Sequence, residues 1–221
     1  MTESNMTNKV SLTGRLSSNF QFSHKRNGIC YYMAEIGAER TSGYTDNIPV
    51  IVPEKILTSL EKDSDISIKG QFRSRNQMTD GKKRLMLSVL ASEMNILDGE
   101  CKYTDINQVF LNGYICKEPT YRKTPRGRMI SDVCLAVNRP YNHSDYLPCI
   151  FWGNNAKIVS SLPVGCQLQI LGRIQSRIYY KKAGDILKKH TAYEVSVCRM
   201  NYVLPHSGQE KTSGKYFLCN F

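Results

Sequence analysis

Aromatic and cationic side chains are interleaved in the second half of this 221-residue chain. Residues 101 to 221 contain 17 Lys and Arg against 7 Asp and Glu, a balance of +10, whereas residues 1 to 100 contain 13 against 12, a balance of +1. Cations can follow a row of phosphates, and flat rings can stack on unpaired bases at about 1–3 kcal/mol each. The pattern favours a surface for single-stranded nucleic acid, with charge that merely confers solubility as the alternative.

The histidines and cysteines of the chain do not have the spacing of a catalytic or metal-binding motif. The four histidines (His24, His143, His190 and His206) are scattered and belong to no nucleophile, metal or phosphate-loop motif. The eight cysteines are never closer than fifteen residues, so no pair has the spacing of zinc ligands. The sequence therefore predicts a protein that is not an enzyme and that needs no metal or other cofactor.

The first seven residues are polar, and no apolar run approaches the length of about eighteen residues that a membrane-spanning helix needs. The composition, with 41% hydrophobic and 22% charged residues, is that of a globular protein with real cores. We therefore expect a cytoplasmic protein that does not contact the membrane.

An internal repeat organises the positions of these side chains. NKVSLTG at residues 8–14 returns as NQVFLNG at 107–113, and IKGQFRSR at 68–75 returns as ILGRIQSR at 170–177. The offset is 99 residues at the first pair and 102 at the second, so three residues are inserted between them. Each copy is a unit of roughly 95 residues, which is large enough to fold as a small domain.

Short runs with period-two alternation of apolar and polar residues predict β-strands in each copy. The second copy has five such runs, at 109–115, 129–137, 147–152, 167–177 and 191–197. One helical stretch, at 155–162, lies between the third and fourth runs, and its first-copy equivalent is at 54–60. Five strands with a helix in this place are the order of an OB-fold, a five-stranded Greek-key barrel that binds oligonucleotides. The expected fold is therefore all-β, with two tandem OB-folds and one short helix per domain.

We expect an N-terminal barrel at 8–97 and a C-terminal barrel at 107–204, joined by a polar linker at 98–105. A tail at 205–221 follows. Its composition is typical of a flexible segment, except that its last residues are apolar. That end is interpreted as an extra strand or a segment that docks on a barrel or a partner.

The second copy resembles bacterial single-stranded-DNA-binding proteins over residues 107–203. The resemblance lies in the blocks VFLNGYICKEPTYRKTPRGR, DVCLAVNRPYN, LPCIFWGNNAKIVSSLP and LQILGRIQSRIYYKKAG. The first copy is similar to the same family through NKVSLTGRL and ISIKGQFRSR. Members of that family combine four OB-folds, so the resemblance implies a homodimer of this two-barrel chain.

The resemblance also implies which residues contact DNA. Four rings lie where the family places its base-stacking side chains: Tyr141, Tyr146, Trp152 and Tyr179. The cations predicted to contact phosphates in the second copy are Arg122, Lys123, Arg126, Arg128, Arg139, Arg173, Arg177, Lys181, Lys182, Lys188 and Lys189. Those predicted in the first copy are Arg73, Arg75, Lys82 and Lys83, with Arg84 beside them.

The repeat offsets place Ser42, Asn47, Pro53 and Gln77 of the first copy at the four ring positions, so none is aromatic. Tyr31, Tyr32, Tyr44 and Phe72 are the rings that could replace them. We expect the second barrel to do most of the base stacking, while the first contributes phosphate contacts or assembly surface.

The tail departs from the family, whose members usually end in an acidic tip that recruits replication and repair proteins. Glu210 is the only acid after Glu194, and only Phe221 matches the terminal aromatic residue of that tip. The sequence thus argues against the usual recruitment. The main alternative function is a non-enzymatic scaffold, or a primosome component like PriB, with secondary nucleic-acid contact. RNA binding remains a third possibility.

Overall fold

A computed structural model of the chain describes residues 7–58, 62–79, 81–97, 106–183 and 186–205. Five of these are described by their backbone only: Thr79, Lys82, Lys83, Ala183 and Ile186. The predicted linker at 98–105 and the tail beyond Pro205 lie outside the described residues, so their interpretation stays a prediction.

The first copy forms six strands, five of which place buried apolar residues on one face. They are β1 (Asn8–Leu16), β2 (Gln21–Arg26), β3 (Ile29–Glu39), β4 (Thr45–Pro53), β5 (Asp65–Thr79) and β6 (Lys82–Ile96). The sheet order is β2-β3-β4-β6-β5-β1, and an additional pairing of β3 with β1 closes the barrel. β4 and β6 run parallel. The pairs β1–β3, β1–β5, β2–β3, β3–β4 and β5–β6 are antiparallel.

The second copy repeats this arrangement with one α-helix. Its elements are β7 (Asn107–Ile115), β8 (Thr120–Lys123), β9 (Met129–Arg139), β10 (His143–Trp152), α1 (Gly153–Ser160), β11 (Gln167–Ala183) and β12 (Ile186–Val203). The order is β7-β11-β12-β10-β9-β8, closed by pairing of β7 with β9, and β10 and β12 are parallel. The predicted pair of OB-folds is therefore confirmed.

The prediction of a helix at 54–60 in the first copy is wrong in length. A single 3₁₀ turn, Glu54–Ile56, stands there, and the following Leu57 is extended with φ −74° and ψ 123°. The connection from β4 to β5 spans residues 54–64, whereas that from β10 to β11 spans 153–166. The first-copy connection is three residues shorter, which accounts for the change of the repeat offset from 99 to 102.

Strands β2 and β8 were not predicted from the sequence. All four residues of β8 are exposed, and no residue of β2 is buried. Such strands carry no inward apolar stripe, so the alternation that revealed the other strands is absent. Each is an edge strand that pairs with one neighbour, β3 or β9.

Inward-facing residues at repeat-equivalent positions fill the two cores. Leu12 and Ile48 in the first copy and Leu111 and Leu147 in the second have no exposed surface. The glycines shared by the copies permit close approach of neighbouring strands. A Cβ atom at Gly113 would lie 2.5 Å from the backbone oxygen of Ala136.

The chain forms two compact units that do not follow the repeat boundaries everywhere. The first-copy unit comprises Val10–Gln108 and Ile174–Glu194, and the second-copy unit comprises Met1–Lys9, Val109–Arg173 and Val195–Phe221. We call residues 174–194 the β11–β12 arm. Thus this part of the second repeat belongs to the compact unit of the first.

Two polar contacts hold the arm within the first-copy unit. The side-chain amide of Asn107 donates to Ile174 O at 2.7 Å and accepts from Ile174 N–H at 2.9 Å. Asp46 Oδ1 accepts hydrogen bonds from the backbone N–H and the hydroxyl of Ser176. Both contacts fix the base of the arm.

Candidate nucleic-acid interface

The outer face of β9 and β10 carries two of the predicted rings. Along β10, Leu147, Cys149 and Phe151 point into the core, so Tyr146 and Trp152 share the outward face because side chains alternate along a strand. Tyr146 is 51% exposed. The second and third strands of an OB-fold form its oligonucleotide-binding face, and β9 and β10 occupy those places in the second barrel.

Trp152 is a half-buried ring fixed at one edge. Its Nε1–H donates to Ser196 Oγ at 3.0 Å, which satisfies the only polar group of the indole. Its cross-strand partner on β9 is Ile130, which is buried. The indole is thereby held in one orientation on the outer face.

Tyr141 stands at the tip of the turn between β9 and β10 and is 93% exposed. Tyr141 and Asn142 both have positive φ, 63° and 56°. Three residues, Pro140 to Asn142, connect the paired ends of β9 and β10. Asn tolerates a positive φ, but a bulky ring such as that of Tyr141 is strained there. Backbone strain of this kind clusters at functional sites.

An additional ring, Tyr114, lies in the same row of the outer face. Ala136 on β9 is the cross-strand partner of both Tyr146 on β10 and Tyr114 on β7. Tyr114 is 41% exposed, and the small Ala136 lies between the two aromatic residues in this row. Sequence reasoning missed Tyr114, although the outward phase of the predicted strand at 109–115 was sufficient to indicate it.

Tyr179 belongs to the other compact unit, on the β11–β12 arm. Its ring stacks on His190 with 5.4 Å between centroids and 24° between planes. Lys181 Nζ lies 5.5 Å from the centre of the same ring, within reach of a cation–π interaction. The structure thus places three predicted rings in the second-copy unit and the fourth in the first-copy unit.

The predicted cations of the second-copy unit divide into exposed and paired groups. Lys123, Arg126 and Arg128 are exposed at and after β8, and Arg173 is half-buried. Arg122 forms a two-pronged ion pair with Asp132, at 2.7 and 3.2 Å. Arg139 lies against the fully buried Asp145, with 3.4 Å between Nε and Oδ2. The exposed group has the greater freedom to meet phosphates.

The predicted cations of the first-copy unit lie mainly on the arm. The exposed members there are Arg177, Lys181, Lys182, Lys188 and Lys189. On β5, Arg75 is exposed, and the half-buried Arg73 donates to Gln71 Oε1. The side chains of Lys82 and Lys83 lie outside the described part of the structure. Arg84 is exposed.

The outer face of the first barrel has a different character. Tyr44 lies under the Arg40 guanidinium at 4.7 Å, and Phe72 is completely buried, so Phe72 is a core residue. A groove of about 430 Å³ crosses this face and is lined by residues that include Gln21, Met33, Glu35, Pro49, Ile51 and Tyr193. Burial raises the pKa of Tyr193 to about 12, and the nearby Glu35, Asp46 and Tyr44 act in the same direction. The Tyr193 hydroxyl is therefore neutral at physiological pH.

The Cys134 thiol on the candidate surface is also neutral. Burial raises the pKa of Cys134, on β9, to about 12, and the adjacent Cys116 thiol reinforces the shift. A neutral thiol adds no negative charge to a face that would meet phosphates.

Among the described residues, no three His, Cys, Asp or Glu side chains are grouped to hold a metal ion. No helix there is long and apolar enough to cross a membrane.

Comparison with known proteins matches the second copy to a described family. Residues 106–203 match the family model described as "Single-strand binding protein family". The chain is 30% identical over 118 residues to single-stranded DNA-binding protein A of Bacillus subtilis, covering 50% of this chain and 67% of that protein. It is 35% identical over 81 residues to single-stranded DNA-binding protein 3 of Listeria innocua, covering 34% and 51%.

A solved structure has a similar fold across both copies. The crystal structure of the wild-type single-stranded DNA binding protein from Thermus aquaticus aligns with a TM-score of 0.71 and 23% identity. The alignment covers 94% of this chain and 97% of that one. At this identity the likeness establishes the fold, and the functional surface depends on this chain's own residues.

Proposed function

Because the chain belongs to the single-strand binding protein family, we propose that it binds single-stranded DNA without strong sequence preference. The observation that carries this proposal is Tyr141, a ring 93% exposed on a backbone with φ 63°. Such a ring contributes little to packing, and its backbone conformation is unfavourable for a bulky residue. A ligand that stacks on the ring accounts for its presence.

The second-copy unit supplies the stacking surface. Tyr146, Trp152 and Tyr114 share the outer face of the barrel, and Tyr141 stands at the end of the β9–β10 hairpin. Every base has a π face, so such rings bind bases with little regard to sequence. Lys123, Arg126 and Arg128 are exposed cations that can meet the phosphates. Removing one stacking ring is expected to cost about 1–3 kcal/mol of binding.

The β11–β12 arm supplies further phosphate contacts beside Tyr179. The Tyr179–His190 stack and the Gln175–Glu194 hydrogen bond share one antiparallel register. In that register Lys181 lies opposite Lys188, on the same face as Tyr179. Like charges opposite each other destabilise a hairpin, and an anion between them removes that cost. This arrangement supports a DNA phosphate bound at the arm.

The two barrels are proposed to differ in strength. The second barrel does most of the base stacking, because the first barrel has Ser42, Asn47 and Pro53 at equivalents of Tyr141, Tyr146 and Trp152.

We further propose a homodimer that combines four barrels, acting in the cytoplasm to protect or organise DNA in replication, recombination or repair. Sedimentation of the free chain tests the dimer, since a monomer contradicts it.

Titration with oligo-dT tests the function. Trp152 is the only tryptophan, so its fluorescence should be quenched as DNA binds. The logarithm of the affinity should fall with the logarithm of salt concentration, with a slope near −0.7 for each phosphate contact. The same titration with oligo-U measures preference for DNA over RNA. Absence of quenching and of a mobility shift at low salt overturns the proposal and favours the scaffold alternative. The apolar groove of the first barrel, which Glu35 also lines, is suited to binding a protein partner in that role.

A further inference from the structure

A ring of the second barrel has a counterpart in the first barrel on the neighbouring strand. Trp152 on β10 pairs with Ile130 on β9, whereas Pro53 on β4 pairs with Tyr31 on β3. These pairs are equivalent because Tyr31 and Ile130, and Pro53 and Trp152, are each 99 residues apart. The aromatic and aliphatic members of the row have exchanged strands. The ring lost from β4 is therefore present one strand away.

Tyr31 forms a second aromatic stack with His24 on β2. The rings are nearly parallel, with 4° between their planes and 4.8 Å between centroids. Both residues are half-buried and are direct cross-strand partners. Tyr31 alternates with the inward Tyr32 and Ala34, so it shares the outward face with Met33, which lines the groove. The stack is thus on the face that binds oligonucleotides in OB-folds.

Two arginines accompany this stack. Burial lowers the pKa of His24, and the positive charges of Arg75 and then Arg26 lower it further. The imidazole is therefore a neutral ring at physiological pH. Both guanidiniums are exposed, and Arg75 also lines the groove. A neutral ring pair beside two exposed cations is suited to a base and its phosphates.

We propose that Tyr31 and His24, with Arg26 and Arg75, form a nucleotide site in the first barrel that holds one base and the adjoining phosphates of a single strand. The site rests on the proposed function, and it extends that function to a barrel without rings at the family positions. The composition matches the arm, where Tyr179 stacks on His190 beside Lys181.

The other aromatic residues of the first barrel are less suited to this role. Phe72 is buried, and Arg40 lies over the ring of Tyr44. Phe22 contacts Tyr32 edge to face, at 6.1 Å and 83°, on the opposite face of the β2–β3 hairpin. Phe22 is 62% exposed and therefore provides a matched control on the same two strands.

Tyr31→Leu and Phe22→Leu in the full chain test the site. Tyr31→Leu should weaken oligo-dT binding about 5- to 150-fold and reduce the number of nucleotides covered per chain, while Tyr31→Phe retains the wild-type values. Phe22→Leu should change neither. Quenching of Trp152 at saturation should persist in all three variants, because the second barrel still binds.

Crosslinking gives a readout that folding defects in a variant do not affect. Oligonucleotides containing 5-bromodeoxyuridine, irradiated with wild-type protein, should crosslink to the peptide that contains Tyr31. Provided that Tyr146→Ala still weakens binding, either of two results overturns the site. One is the absence of that crosslink, and the other is wild-type affinity and site size in Tyr31→Leu. If wild-type protein does not bind oligo-dT at all, the proposed function itself fails.

Discussion

Asp46 and Ser176, which are 130 residues apart in the chain, meet in the first-copy unit. Asp46 Oδ1 accepts the backbone N–H of Ser176 at 2.6 Å and its hydroxyl at 2.8 Å. The Arg40 guanidinium donates to both carboxylate oxygens, at 2.6 and 2.7 Å. The carboxylate has no exposed surface, so these partners replace its hydration. The contact joins β4 of the first repeat to the arm of the second.

Asp46→Asn should destabilise the protein substantially. Removing one member of a buried ion pair leaves its partner uncompensated, and Arg40 is only 21% exposed. We expect the free energy of unfolding to fall by about 3 kcal/mol, measured by urea denaturation. Ser176→Ala, which removes the hydroxyl and keeps the backbone N–H, should cost about 1 kcal/mol. Equal effects of the two variants contradict this account.

Because of Asp46, the stability of the folded protein should fall at acid pH. Burial alone raises the pKa of the carboxyl, but the hydrogen bonds from Arg40 and Ser176 outweigh burial and bring the pKa below its ordinary value of 3.8. Because the folded pKa is depressed, the stabilisation is complete above pH 3.8 and is lost as pH falls through the folded value. Thermal melts of wild-type protein should show this loss, and Asp46→Asn should show a shallower pH dependence.

Tyr141→Gly should separate stability from binding. Glycine tolerates the φ of 63° without strain, so we expect stability to rise by about 0.5–1 kcal/mol. Loss of the ring should weaken oligo-dT binding by about 1–3 kcal/mol. Asn142→Gly changes the neighbouring positive-φ residue of the same turn and keeps the ring, so its affinity should equal that of wild type. Equal affinities of both variants exclude Tyr141 as a stacking residue.

Ala136→Leu should obstruct the space between Tyr114 and Tyr146. The side chain lies on the outer face, so the larger residue should leave the melting temperature nearly unchanged. Binding should weaken by about 1 kcal/mol or more, because the leucine occupies space that a base needs between the rings. Tyr114→Ala should produce a loss comparable with that of Tyr146→Ala. A wild-type affinity in Ala136→Leu contradicts a base at this position.

Lys181→Gln should reduce the salt dependence of binding. Losing one phosphate contact should make the log–log slope less steep by about 0.7. The same change removes repulsion with Lys188, so the free protein should gain a few tenths of a kcal/mol. Lys157→Gln, an exposed lysine of α1 outside the proposed interface, is the control and should leave the slope unchanged. An unchanged slope in Lys181→Gln places the DNA elsewhere.

Period-two alternation predicted the barrels because inward residues such as Leu12 and Leu111 are apolar wherever a strand faces a core. The rings Tyr146 and Trp152 were indicated instead by the resemblance to the family, and the phase of β10 places both on its outward face. Period-two alternation did not predict strand β8, because all four residues of that strand are exposed. The first-copy helix at 54–60 was predicted as the equivalent of the second-copy helix with Pro53 at its start, but a 3₁₀ turn at Glu54–Ile56 and an extended Leu57 stand there.

The duplicated fold and the charge difference between the copies were predictable from the sequence, because each depends on residues close together within one repeat. The resemblance of those residues to a known family indicated the rings expected to bind DNA. Folding alone assigns the β11–β12 arm to the first-copy unit and places Tyr31 in the row equivalent to that of Trp152. Alternation gives the face of a residue but not its partner on the next strand. Register brings Tyr31 beside Pro53, and folding brings Ser176 to Asp46. Both relationships arise from strand pairing between distant segments, which no local pattern records.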